Sequence, residues 1–185
     1  MIYFTSDWHL GETRLGDIRK EEFNPFFRSF NTVEEQDSFI IQKVNEFVQK
    51  ADFLYHLGDV AMNAESLEWL DCVRCKNRVL VAGNYDEPHL DLLSKYFMTV
   101  QHGMRITDDD SQTVFNLTHC PTDAVEDMFN IVGHIHSLWK VKRNMVNVGV
   151  DAWHFKPVSL KEILFVKNAI EKGFYDENVF YKEEK

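Results

Sequence analysis

Five times between residues 2 and 136, a short apolar run stops at a block of Asp, Asn or His side chains. Residues 2–5 run into Asp7-Trp8-His9, and residues 53–57 run into Gly58-Asp59. Residues 79–82 lead to Gly83-Asn84-Tyr85-Asp86, residues 115–118 to His119, and residues 131–132 to Gly133-His134-Ile135-His136. Runs this short, rich in β-branched and aromatic residues, read as buried strands. A chain that repeats the pattern in this way builds sheets, with its polar blocks at the carboxyl ends of strands. Rigid strands aim such blocks at a common point, which is where α/β folds gather their chemistry.

Between the runs the period changes to that of helices. Thr32-x-x-Glu35 has the form of a capping box, and Ile40, Val44, Phe47 and Val48 then mark one helical face. Asn63 predicts the cap of a second helix reaching Val73, and Pro88 predicts the first turn of a third, ahead of Leu90, Leu92 and Leu93. Ser159-x-x-Glu162 opens a last helix carrying Ile163, Leu164 and Ile170. Asp108-Asp109-Asp110-Ser111 reads as a hairpin loop between strands over 99–106 and 113–118, with further strands at 130–132 and 145–150. Strands and helices alternate early and strands cluster late. That order predicts a mixed α/β sandwich rather than a doubly wound sheet. No repeat or linker divides the 185 residues, so one domain over 1–185 is expected, with 171–185 as a docked or frayed tail.

Composition narrows the function. Hydrophobic residues make up 44% of the chain, enough for a buried core. No run approaches the roughly 18 apolar residues of a membrane span, and the start lacks the basic lead of a secretory signal. The expectation is a cytoplasmic protein with no membrane partner. Cys72, Cys75 and Cys120 are odd in number, and Cys72-x-x-Cys75 has no second pair, so ordinary thiols are expected. A net charge of −10 repels a long polyphosphate backbone. A small phosphate ester, a nucleotide or a nucleic-acid end suits such a surface better than an extended duplex.

The residue types in the five blocks suit divalent cations. Carboxylate and amide oxygens mixed with imidazoles favour manganese, iron or zinc over an all-oxygen magnesium site. No cysteine joins the set, which argues against a structural zinc cluster. His134-x-His136, on extended backbone, turns both rings to one face. Two cations sharing a carboxylate stand about 3.5–4 Å apart and bring the pKa of bound water to about 7.

In this order the motifs resemble those of the calcineurin-like metallophosphoesterases: Asp-x-His, Gly-Asp, Gly-Asn-His-Asp/Glu, His, then Gly-His-x-His. The likeness extends to short, cap-less bacterial and phage members through Phe4-Thr5-Ser6-Asp7-Trp8-His9-Leu10-Gly11 and Tyr55-His56-Leu57-Gly58-Asp59. Val148-Gly149-Val150-Asp151-Ala152-Trp153 and Lys156-Pro157-Val158-Ser159 are similar as well. The resemblance implies an αββα sandwich of two mixed β-sheets flanked by helices, with the metal site at the carboxyl ends of strands. It implies that Asp7, His9 and His136 bind one cation, that Asn84, His119 and His134 bind a second, and that Asp59 bridges them. Manganese is the first expectation for both, with iron, zinc, nickel or cobalt as alternatives. The implied activity is hydrolysis of a small phosphodiester or nucleotide-like ester by a metal-bridging hydroxide, with Asn84 also touching the phosphate.

One position departs from the pattern. Tyr85 stands where the family usually has the histidine that steadies the phosphoryl group or protonates the leaving oxygen. A phenol with an ordinary pKa near 10 donates less readily than an imidazolium. The expectation is a slower enzyme biased toward diesters, with Asn84, Tyr85 and Asp86 as its catalytic block and Asp86 deprived of the histidine it would orient. Arg14 and Arg28 are expected to meet the substrate phosphate, since guanidinium matches phosphate oxygens. His56 reads as a hydrogen-bonded support or a core residue, His89 as a surface histidine or a replacement for the missing imidazole, and Trp8 and Trp153 as core aromatics. A nucleotide phosphomonoesterase and a metal-binding scaffold with decayed catalysis are the alternatives. Retention of all seven ligands weighs against decay.

Overall fold

The computed structural model describes residues 1–14 and 28–174. Its strands are β1 (Ile2–Thr5), β2 (Phe53–His56), β3 (Asn77–Val81), β4 (Thr99–Gln101), β5 (Gly103–Thr107), β6 (Val114–Thr118), β7 (Phe129–Val132), β8 (Val141–Lys142), β9 (Met145–Asn147) and β10 (Val158–Ser159). Its α-helices are α1 (Val33–Phe47), α2 (Leu90–Leu93) and α3 (Leu160–Glu171). The strands form two five-stranded sheets, ordered β10-β1-β2-β3-β4 and β5-β6-β7-β9-β8. In the first, β1 to β4 run parallel and β10 antiparallel. In the second, β6, β7 and β9 run parallel and both edges are antiparallel. Two mixed sheets flanked by helices make the expected sandwich.

Alternation along the first sheet explains why its strands read as unbroken apolar runs. Tyr3, Leu54 and Leu80 point to one side, where they meet Ile40 and Val44 of α1 and Leu67 and Leu70. Phe4 and Val81 point to the other, where they meet Phe115, Leu117, Ile131 and Val146 of the second sheet and Ile163 of α3. Each strand thus serves two cores, as strands buried on both faces do. Every such side chain removed from water contributes about 1.5–3 kcal/mol.

The structure redraws several sequence boundaries. The run over 99–106 is split at His102, with β4 in the first sheet and β5 in the second, so the chain changes sheets inside what reads as one strand. The run over 145–150 stops at Asn147 and turns into a 3-10 turn, Val150–Trp153. The second helix is a 3-10 helix, Glu65–Cys72, although Asn63 Oδ1 does accept from Ser66 N at 2.9 Å. Pro88 lies in a 3-10 turn, Glu87–His89, that leads into the single turn of α2. The Ser159–Glu162 box is complete. At α1, Thr32 accepts from Glu35 N as expected, but the Glu35 carboxylate reaches back to Asn31 N rather than to Thr32. The cysteines are free thiols, and among the described residues no helix is long and apolar enough to cross a membrane. The expectation for residues 175–185 lies outside the described residues.

Candidate metal centre

Each polar block follows the carboxyl end of a strand, three in the first sheet and two in the second. Two triplets of ligand atoms gather there, each within 4.8 Å: Asp7, His9 and His136 in one, Asp59, His119 and His134 in the other. The turns that deliver them are strained. Asp7 (φ 59°), His9 (46°), Asp59 (59°), His134 (73°) and His136 (49°) all adopt the left-handed backbone region. Side chains other than glycine rarely sit there, and where they do the surrounding structure offsets a cost of about 1–3 kcal/mol each. Gly58 (φ 91°) is required by closeness as well: a Cβ there would lie 2.5 Å from His119 Nδ1 and 2.6 Å from Gly83 Cα.

Hydrogen bonds fix which nitrogen each histidine can offer. His119 Nδ1 lies 2.7 Å from Leu57 O and His136 Nδ1 lies 2.7 Å from Asp151 Oδ2, so both donate from Nδ1 and keep Nε2 as the ligand atom. His9 Nδ1 contacts Met62 Sδ at 3.3 Å, and its Nε2 stands 3.5 Å from Asp59 Oδ2. The same Asp59 oxygen is 3.3 Å from His119 Nε2. Around His119 Nε2 also stand Asn84 Oδ1 at 3.2 Å and His134 Nδ1 at 3.1 Å. Acceptors that converge this closely repel one another unless a proton or a cation lies among them. Donor type, spacing and tautomer therefore fit a cation in each group, with Asp59 between them and Asn84 added to the second.

Electrostatics agree. Burial pushes the Asp7 carboxyl up to about 6 despite the pull of His136 and His119. Burial lowers His9 to about 3 and also depresses His134, so both are neutral and ready to ligate. For His119 burial opposes the charge, but the hydrogen bond to Asp59 and the Asp7 and Asp59 charges outweigh it and raise the ring to about 9. A cation must therefore displace the His119 proton below about pH 9 and also the Asp7 proton below about pH 6. Manganese affinity is expected to rise about tenfold per pH unit up to about pH 6 at the Asp7 group and up to about pH 9 at the His119 group. Calorimetric titration across that range checks this, and a pH-independent affinity would contradict it.

Other expected site residues fall differently. Asp86 is buried and its carboxylate is taken up by backbone amides: Oδ2 accepts from Asp59 N and Gly83 N, both at 2.8 Å, and Oδ1 from Val60 N at 2.9 Å. It clasps the Asp59 loop to Gly83, a contact that does not involve the side chain at position 85. Tyr85 N donates to Asp59 Oδ1 at 2.9 Å, and its ring meets His9 edge-on at 4.9 Å. Arg14 is half-exposed and its guanidinium is paired with Glu12. Arg28 is 2% exposed and its guanidinium is engaged with Asp151, Trp8 O and Asp7 O, so burial removes it from the substrate contact expected of it. His56 is a core residue whose ring nitrogens meet no hydrogen-bond partner among the described residues; burial keeps it neutral by lowering it to about 3. Its edge packs on Trp8, itself buried and bonded to Thr5 Oγ1 at 2.8 Å. Asn147, which sequence reasoning missed, donates to His136 O at 2.7 Å and accepts from Gly149 N at 2.8 Å.

The fold and side chains together define a two-sheet α/β sandwich with two cation-type ligand groups at the carboxyl ends of strands from both sheets. No family model matches the chain. It is 28% identical over 207 residues to the Gene 66 protein of Mycobacterium phage L5, across 92% of this chain and 95% of that protein. It is also 28% identical over 187 residues to an uncharacterized protein of Methanocaldococcus jannaschii, across 93% and 92%. Among solved structures, a protein of unknown function from Aquifex aeolicus shares the fold: TM-score 0.70 at 22% identity, over 90% of this chain and 98% of that one. A predicted phosphoesterase from Streptococcus pneumoniae reaches a TM-score of 0.40 at 15% identity, over 80% of this chain and 70% of that one, a likeness too slight to bear on fold or activity.

Proposed function

We propose that the protein is a dinuclear-metal phosphoesterase acting on small phosphodiesters. The observation that carries this reading is one shared oxygen: Asp59 Oδ2 stands 3.5 Å from His9 Nε2 and 3.3 Å from His119 Nε2, between the two ligand groups. Asp7, His9 and His136 would hold one cation, and Asn84, His119 and His134 the other, with manganese suited to the mixed oxygen and nitrogen set. Two such cations supply Lewis acidity and a water acidic enough to be a nucleophile near neutral pH. The chain's own groups do the rest: Asn84 is exposed beside the second site, and Arg14 turns a half-exposed guanidinium toward the Tyr85 side of the first.

The reading also sets the size and charge of the substrate. A cleft of about 420 Å³ opens beside the second group, lined by Asn84, His119 and His134 and by Glu87, His102 and Asp123. Its lining has two carboxylates and neither arginine nor lysine, which disfavours a polyanion and leaves room for a small ester. Tyr85 in place of an imidazole favours esters that need little protonation of the leaving oxygen. Hydrolysis of bis-p-nitrophenyl phosphate and p-nitrophenyl phosphate with added manganese tests the proposal. The expected result is manganese-dependent turnover that is faster on the diester. A chain that binds two cations yet hydrolyses neither, or prefers the monoester, would overturn it.

A further inference from the structure

One buried ion pair outside the seven ligands touches both halves of the first ligand group. Arg28 Nε donates to Asp151 Oδ1 at 2.8 Å and Nη2 to Asp151 Oδ2 at 3.0 Å, a two-pronged pairing whose side chains are 1% and 6% exposed. The same guanidinium donates from Nη1 to Trp8 O at 2.6 Å and from Nη2 to Asp7 O. Those carbonyls belong to the segment where Asp7 and His9 adopt left-handed backbone. The same Asp151 Oδ2 also accepts from His136 Nδ1 at 2.7 Å. The turn carrying Asp151 is tied to β1 as well, through Val150 N to Ser6 O at 3.1 Å.

We propose that Arg28 and Asp151 are a positioning pair for the first cation site, an inference that rests on the dinuclear reading. Asp151 holds the proton of His136 on Nδ1 and so presents Nε2 as the ligand atom. A carboxylate placed there alone would add an unbalanced negative charge in a buried setting, which is costly. Arg28 balances that charge, and its remaining donors hold the Asp7 and Trp8 carbonyls where the strained turn needs them. A purely structural salt bridge would need neither His136 nor those two carbonyls.

The tautomer of His136 separates these roles. Ring nitrogen–proton correlation spectra of the full-length chain, recorded where imidazole is neutral, should show His136 protonated at Nδ1, both before and after zinc is added. In Asp151→Ala the proton should move to Nε2. In Asp151→Asn, which keeps an accepting oxygen, it should stay on Nδ1. Zinc titration should show one of two sites weakened about 10–100-fold in Asp151→Ala, the usual effect of losing a partner behind a ligating histidine, and less in Asp151→Asn. If Asp151→Ala does not fold, the wild-type tautomer and the Asp151→Asn titration still decide the matter. Wild-type His136 protonated at Nε2, or variants that bind both zinc ions as the wild type does, would overturn the positioning pair. A wild type that binds no cation would instead overturn the dinuclear reading itself.

Discussion

Asp59→Asn is expected to release both cations together and to lower manganese-dependent turnover by about 10³-fold or more, the scale of losing several kcal/mol of charge stabilisation. Asp59 is 2% exposed, and its Oδ2 lies within 3.5 Å of a ligand nitrogen in each group. An amide keeps the shape and can keep the Oδ1 contact that accepts from Tyr85 N at 2.9 Å. What it removes is the shared negative charge. It also removes the partner that helps keep His119 charged up to about pH 9, so the substitution acts on metal binding rather than on the fold. Elemental analysis and kcat/KM on the same preparation check this together. A variant that keeps two cations would show that Asp59 is not the bridge.

The second large effect is on stability. Asp86→Asn is expected to cost about 2–4 kcal/mol, since hydrogen bonds to a charged acceptor contribute about 1.5–3 kcal/mol each and do not simply add. Three backbone N–H groups, from Asp59, Val60 and Gly83, converge on this carboxylate. An asparagine turns an N–H₂ group toward at least one of them. For a chain of this size the loss corresponds to a fall in Tm of roughly 5–15 °C. Because two of those amides flank Asp59, cation affinity should fall with stability. Thermal melts and manganese titrations of the variant test this, and an unchanged Tm would mean the clasp is weak.

The seven candidate side chains were legible because each lies within a few residues of an apolar run, and the end of a strand is a local signal. The change of sheet at His102 was not, since β4 and β5 are both β-rich and separated by that one residue. Which sheet a strand joins is decided by partners distant in sequence. The clasp made by Asp86 was hidden for the same reason: its partners include Asp59 and Val60, reached only across the fold. Arg28 and Asp151 are 123 residues apart, and no periodicity joins them. Arginine was expected to face phosphate, whereas here its fork closes on a buried carboxylate and two carbonyls. The strands of two residues, β8 and β10, are too short to carry any alternation at all.

The central claim is that two cations share Asp59. Anomalous scattering from crystals grown with manganese measures it most directly. The prediction is two peaks about 3.5–4 Å apart, one against Asp7, His9 and His136, the other against Asn84, His119 and His134, with Asp59 touching both. A single peak at saturating manganese, or two peaks of which Asp59 touches only one, would contradict it.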